Sequence, residues 1–169
     1  YDDLELEEII NYYAHEYGIY INNEYDFSDR LLFNVGLRYS GFIQVGPFER
    51  HVKDNSGQIG QISTDTIISY QSGDIVENYG GWEPRFSLRY LIDESSSFKI
   101  GFTQNYQYLH LTSLASSSLP TDVWLPSSDV VKPQFGRQIS LGYYKNLKQN
   151  RYETSLELYF KTMDNLVEY

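Results

Sequence analysis

Apolar and polar side chains alternate with a period of two residues in six segments of this chain, whereas helical periodicity is weak throughout. Successive side chains of a β-strand point to opposite faces of a sheet, so this alternation predicts strands with one apolar and one polar face. We therefore expect an all-β protein with about six antiparallel strands. The predicted strands span residues 11–27, 31–44, 79–92, 98–111, 138–143 and 153–161.

Short and long connections alternate between these segments. Three short turns are centred near Asp29, Ser96 and Gln149, and two long polar loops cover residues 46–78 and 112–136. Antiparallel barrels of the outer membrane have short turns on the periplasmic side and longer loops outside the cell. The order of connections therefore predicts a segment of such a barrel, with both long loops facing the medium.

The two long loops differ in their local sequence. Residues 58–70 of the first loop alternate enough to form short strands of their own, whereas Pro120, Pro126 and Pro133 are expected to break regular pairing in the second. Loops longer than about 15 residues are usually functional or disordered. Both loops are therefore candidates for recognition of a ligand.

Aromatic residues are abundant although the chain is not hydrophobic on average. It contains 17 Tyr and 9 Phe, and its mean hydropathy is -0.47. Strands with one apolar face explain both values, because a membrane barrel adds aromatic belts at the two lipid interfaces. The predicted outer belt contains Tyr12, Tyr13, Tyr39, Trp82, Tyr106 and Tyr108, and the predicted inner belt contains Tyr25, Phe27, Tyr90, Phe98 and Tyr152.

The apolar face of the predicted strands is expected to contact lipid. A water-soluble β-sandwich would also show two-residue alternation, but its strands are usually only about 5–6 residues long. A sandwich would also have to cover the apolar faces with a second sheet. The side chains expected to face lipid include Val35, Leu37, Leu88, Phe102, Leu141 and Leu158.

Charge and composition exclude several other classes of function. The formal net charge of -10 opposes binding to nucleic acid, and the absence of Cys excludes disulfides, cysteine zinc sites and thiol catalysis. His15, His51 and His110 are too far apart in sequence to form a recognisable metal-binding pair, and no nucleophile or phosphate-binding motif is present. We expect neither enzymatic activity nor a cofactor.

Three stretches of sequence carry a resemblance to a known family. The hairpin from Glu16 to Phe42 contains GLRY, the hairpin from Trp82 to Gln107 contains EPR, and the stretch from Leu125 to Tyr169 contains KPQ followed by SLGYYKN. In this order the three stretches resemble the barrel of TonB-dependent outer-membrane receptors, especially the large receptors of Bacteroidetes-type bacteria. The resemblance covers nearly the whole chain.

The resemblance implies a 22-stranded barrel in the outer membrane of a Gram-negative bacterium, closed by an N-terminal plug and energised by TonB. Residues 1–169 would then form a partial barrel domain without the plug, because about six strands cannot close that barrel. The implied partners are outer-membrane lipid, the rest of the receptor barrel, TonB through the missing plug region, and a nutrient of unknown identity. A surface lipoprotein partner is left open.

The leading functional hypothesis is import of a nutrient, and the alternative is a structural or adhesive barrel that binds a partner protein without transport. Polar side chains on the strands and in the long loops are the candidates for ligand contact, although charges on the strands can equally hold the plug and water. The candidate ligand-binding residues are Arg50, His51, Glu83, Arg85, Arg89, Asn105, Gln107, Asp122 and Trp124.

Overall fold

The computed structural model describes residues 11–52, 66–113, 122–149 and 151–167. These residues form ten β-strands, and no helix among them is long and apolar enough to cross a membrane. The strands are β1 (Tyr13–Ser28), β2 (Leu31–Val45), β3 (Phe48–Val52), β4 (Thr66–Tyr70), β5 (Ile75–Asp93), β6 (Ser96–Gln107), β7 (Leu109–Ser113), β8 (Asp122–Pro126), β9 (Gln134–Leu147) and β10 (Tyr152–Asp164).

Six long strands form one antiparallel sheet in the order β1-β2-β5-β6-β9-β10, which confirms the predicted all-β fold. Short turns join β1 to β2, β5 to β6 and β9 to β10, and the last of these contains Lys148 and Gln149 with φ angles of 50° and 57°. Both long connections leave the opposite end of this sheet, which we call its upper end. The sheet is open, because β1 and β10 are not paired with each other.

Strand register separates the apolar and polar side chains into two faces, as predicted. One row across the central strands joins Val35, Phe86, Phe102 and Ile139. The same register places the six side chains expected to face lipid together on this apolar face. The neighbouring row, on the opposite face, contains Gly36, Arg85, Thr103, Gln138 and Lys161. We call this opposite face the polar wall.

The distribution of buried side chains excludes a β-sandwich for the described residues. Phe42 and Tyr108 are their only buried hydrophobic side chains, with 1% and 3% of their surface exposed. Large apolar side chains remain uncovered in the middle of the sheet; for example, Ile139 is 54% exposed and Leu158 is 60% exposed. Packing is therefore densest at the upper end of the polar wall and not behind the apolar face.

Each long connection contains a hairpin of its own. In the first, β3 pairs with β4, which lies inside the segment predicted to form short strands, while residues 53–65 fall outside the described part of the chain. In the second, β7 pairs with β8, so the prediction that prolines would prevent regular pairing was wrong for this loop. Pro126 is the last residue of β8, so its missing N–H group removes no hydrogen bond from the middle of the strand pair.

The position of Tyr108 differs from the prediction. The fourth strand was predicted to run to residue 111, with the Tyr108 ring in the outer aromatic belt. Strand β6 ends at Gln107, and the Tyr108 ring stacks on Phe42 of the polar wall, with ring centroids 5.5 Å apart and planes at 10°. The ladder between β5 and β6 reaches its upper limit at Arg85 and Thr103. Above that pair the two strands separate, so the two-residue alternation no longer determines which face a side chain occupies.

Candidate functional site

Glu83 lies in the gap where β5 and β6 separate. Its side chain is buried, with 1% of the residue surface exposed, and its Oε1 accepts hydrogen bonds from Ser40 Oγ at 2.8 Å and from the Tyr106 N–H at 3.2 Å. The Tyr108 hydroxyl lies 2.8 Å from Ser40 Oγ and donates to the Ser40 carbonyl at 3.1 Å. A carboxylate thus replaces part of the missing ladder and joins three strands.

Two arginines share the second oxygen of this carboxylate. Arg38 Nη1 and Arg85 Nη2 each lie 3.7 Å from Glu83 Oε2, and the arginine side chains are 37% and 53% exposed. Arg38 extends across Gly18 of β1, where a Cβ atom would come within 3.0 Å of Arg38 Nε. One buried negative charge therefore faces two positive charges at the surface of the polar wall.

His110 anchors the second long connection. The ring is 1% exposed, its Nε2 lies 3.1 Å from Ser127 Oγ, and Ser127 Oγ donates to the Tyr108 carbonyl at 2.8 Å. Because the serine proton goes to that carbonyl, Nε2 carries the imidazole proton and Nδ1 does not. Burial lowers the pKa of His110, and its Nδ1 has no hydrogen-bond partner within the described residues.

The two long connections meet above the polar wall. Arg50 of β3 forms an ion pair with Asp129, which follows β8. The Tyr79 hydroxyl of β5 donates to the Ser128 carbonyl at 2.7 Å, so the segment after β8 is also bonded to the wall. These contacts lie beside a cleft of about 440 Å³, the loop-junction cleft, which is lined in part by Tyr12, Gln44, Phe48, Arg50, Asp129 and Val131.

Gln44 gives the loop-junction cleft a buried polar atom. The residue is 1% exposed, and its Oε1 has no hydrogen-bond partner in the part of the chain that the structure describes. An unpaired buried acceptor costs roughly 1–3 kcal/mol, and a donor that reached it would recover part of that cost. The cleft therefore offers an ion pair and two aromatic rings to an entering molecule, and the Gln44 acceptor lies buried in its wall.

The structure brings some of the predicted site residues together. Glu83 and Arg85 share the cluster with Arg38, and Arg50 lines the loop-junction cleft. At the upper end of β6, Asn105 and Gln107 are exposed, and Gln107 Nε2 donates to the Leu109 carbonyl at 2.8 Å. Their role in ligand contact stays a prediction.

Other predicted residues lie apart from these two groups. Arg89 is on the polar wall near the short turns, paired in register with Leu32 and Lys99. Trp124 is 60% exposed on β8. The backbones of His51 and Asp122 belong to β3 and β8, but their side chains lie outside what the structure describes.

Sequence reasoning missed several residues that build the site. Ser40 and Gln44 have the polar-face parity of β2, and this signal could have identified them. His110, Ser127 and Asp129 carry no such signal, because their partners are set by contacts between segments distant in sequence.

Comparison with known families gives one match. The model of the family described as TonB dependent receptor-like, beta-barrel matches residues 9–169. The chain belongs to this family. No curated protein and no solved structure matches it.

Family membership confirms the resemblance found in the sequence, while the narrower likeness to Bacteroidetes-type receptors stays a prediction. The family comprises outer-membrane receptors for nutrient transport in Gram-negative bacteria and is not an enzyme family. It implies interaction with TonB and with the rest of a barrel. Among the described residues, no group of three or more His, Asp or Glu side chains could hold a metal ion.

Proposed function

We propose that this part of the receptor captures a nutrient at the cell surface and passes it along the polar wall for import into the periplasm. The observation that carries this proposal is the loop-junction cleft, which lies between two hairpins at the upper end of the sheet. In barrels of this kind the long loops face the medium, and a solute meets them first. The cleft stands directly above the polar face that would line the lumen.

The opposite face supports a place in the outer membrane. Its middle rows carry uncharged side chains such as Val35, Phe86, Phe102 and Ile139, and no second sheet covers them within the described ranges. We propose that lipid covers this face in the intact receptor, because burial of apolar side chains in hydrocarbon removes them from water. The short turns would then lie on the periplasmic side.

Uptake by the intact receptor tests the proposal. A strain without the receptor gene is complemented with the wild-type gene or with a gene in which a short Gly-Ser linker replaces residues 48–70. Growth and uptake are measured with siderophore-bound iron, cobalamin, oligosaccharides and peptides as separate nutrient sources. We expect the wild type to restore use of one nutrient and the shortened variant to lose most of that uptake, because one side of the cleft is removed.

The matched control carries the same linker inserted at Gln149, in the turn between β9 and β10, and is expected to keep uptake. Surface labelling and resistance of the folded barrel to SDS without heating confirm assembly of all variants. If the shortened variant assembles and takes up the nutrient at the wild-type rate, capture by the loop-junction cleft is refuted. If loss of the gene impairs attachment to a partner and uptake of none of the nutrients, the adhesive alternative is correct.

A further inference from the structure

The polar wall is basic on its three central strands, although the whole chain has a formal net charge of -10. The row of Arg89 and Lys99 also contains two carboxylates on the outermost strands, Asp26 of β1 and Glu157 of β10. Between the level of Arg38 and the level of Lys99, strands β2, β5 and β6 direct four basic side chains and one carboxylate to this face. We call the four basic residues the basic stripe: Arg38, Arg85, Arg89 and Lys99. The carboxylate is Glu83, which is buried.

The upper pair of the stripe has more positive charge than its partner neutralises. Arg38 and Arg85 both approach Glu83 Oε2 at 3.7 Å, and neither forms another ion pair within the described ranges. The two guanidinium groups line a cleft of about 520 Å³, together with Tyr20, Asn22 and Gly36. Guanidinium groups bind carboxylate and phosphate through paired hydrogen bonds, and a cleft focuses the field of its charges.

The lower pair places two positive charges opposite each other. Arg89 of β5 and Lys99 of β6 are direct partners in the register, and neither has a carboxylate within 4.0 Å in the part of the chain that the structure describes. Like charges at directly opposite positions destabilise a sheet. An anion between them would remove this repulsion. Because Arg89 is four residues below Arg85, the two pairs are separated by roughly 13 Å.

We propose that the two pairs are successive binding sites for a small anionic solute that carries carboxylate or phosphate groups. This inference rests on the proposed function, and it names the chemical class of the imported nutrient. The solute leaves the loop-junction cleft, binds the excess charge at Arg38 and Arg85, and then passes to Arg89 and Lys99. Each pair of positive charges attracts the solute at the surface of the wall. Because neither pair lies in a deep pocket, the solute can move from one pair to the next.

Anion binding to the purified intact receptor tests this proposal. Citrate is the carboxylate probe, pyrophosphate is the phosphate probe, and sucrose is the neutral comparison, all at matched ionic strength. Dissociation constants come from calorimetry, and the melting temperature is measured with and without each probe. We expect one or both anions, but not sucrose, to bind and to raise the melting temperature.

Lys99→Gln removes one charge from the lower pair without breaking an ion pair, so this variant should fold. We expect its affinity for the bound anion to fall roughly tenfold, and Lys99→Arg should restore it. Arg85→Gln tests the upper pair in the same way. Arg151→Gln removes an equal charge in the turn between β9 and β10, away from the stripe, and should leave the affinity unchanged.

Three results of the binding and melting experiments would overturn the proposal: no binding of either anion to the wild type, equal affinities in Lys99→Gln and Arg151→Gln, or a lower melting temperature in Lys99→Gln with unchanged anion affinity. The last result would show that the stripe contacts another part of the receptor. The variant lacking residues 48–70 keeps the basic stripe. If this variant loses uptake but still binds the anion normally, the loss comes from the loop-junction cleft and not from the stripe. Uptake of a neutral nutrient that is unaffected by Lys99→Gln would refute the anionic class and leave the proposed function intact.

Discussion

The hairpins of the two long connections are similar in length but are attached to the sheet in different ways. The β7–β8 hairpin is held to the sheet at its base by Tyr108, His110 and Ser127, whose side chains are buried and hydrogen-bonded. The β3–β4 hairpin is joined to the segment after β8 by the ion pair of Arg50 and Asp129, whose side chains are 30% and 27% exposed. The loop-junction cleft lies between these two kinds of attachment.

Because the attachments differ, detaching the β7–β8 hairpin from the sheet should cost more free energy than detaching the β3–β4 hairpin. Buried hydrogen bonds and stacked rings must be broken together before β7–β8 can leave the wall. An ion pair near the surface contributes roughly 0–1 kcal/mol and is weakened by salt. We therefore expect the β3–β4 side to open first, and the following variants test the contrast.

The largest effect is expected for Tyr108→Ala. The change removes a ring stacked on both Phe42 and Tyr106 and leaves a cavity beside Phe42, the other buried hydrophobic side chain of the described residues. It should lower the free energy of unfolding by roughly 3–5 kcal/mol, measured by denaturant titration of the intact receptor in detergent. The control is Tyr70→Ala in β4, where the ring is partly exposed and lies 6.5 Å from Phe48. An equal or larger loss in the control would remove the contrast between the hairpins.

Ser127→Ala should have the next largest effect. It deletes the hydroxyl between His110 Nε2 and the Tyr108 carbonyl, both in a buried setting, so we expect a loss of roughly 1–3 kcal/mol. Hydrogen exchange in β7 and β8 measures this local opening. Ser69→Ala, at an exposed position of β4, is the matched control and should leave exchange in both hairpins unchanged. Unaltered exchange in Ser127→Ala would show that the hydroxyl does not anchor β7–β8.

Acid should weaken the attachment of the β7–β8 hairpin. Burial lowers the pKa of His110 below its ordinary value of 6.5, so the folded hairpin binds fewer protons than the open one. Its stabilisation is complete above the ordinary value and is lost as the pH falls from there through the folded pKa. Hydrogen exchange in β7 and β8 of the intact receptor, corrected for its intrinsic dependence on pH, follows this opening. His110→Gln should abolish the pH dependence of the signal, and its persistence in that variant would assign the effect to another group.

The smallest effect is expected for Asp129→Asn. Loss of the partly exposed ion pair with Arg50 should cost no more than about 1 kcal/mol, and the cost should shrink further at high salt. Hydrogen exchange of β3 and β4 at low and high ionic strength measures it. Arg50→Gln should reproduce the result, because each change removes the same pair. A loss larger than that of Ser127→Ala would reverse the order of the two attachments.

Local sequence pattern predicted the sheet well. The row of Val35, Phe86, Phe102 and Ile139 follows from the pleat, since a two-residue period places alternate side chains on opposite faces whatever the surroundings. Three short turns then determine the pairs β1–β2, β5–β6 and β9–β10, and the antiparallel barrel predicted from the order of connections places the three hairpins side by side in chain order. The candidate ligand-binding residues Glu83 and Arg85 share the polar wall for the same reason.

The sequence by itself therefore determined the six strands, their two faces, their neighbours and the end from which the long connections leave. The tertiary structure decided how those connections return to the sheet. Arg50 and Asp129 are 79 residues apart, and Tyr108 reaches Ser40 across 68 residues. Such contacts depend on where β5 and β6 separate and on which side chain fills the gap. A periodic pattern describes neighbours along one strand, and it cannot encode a contact that exists only after distant segments have been packed together.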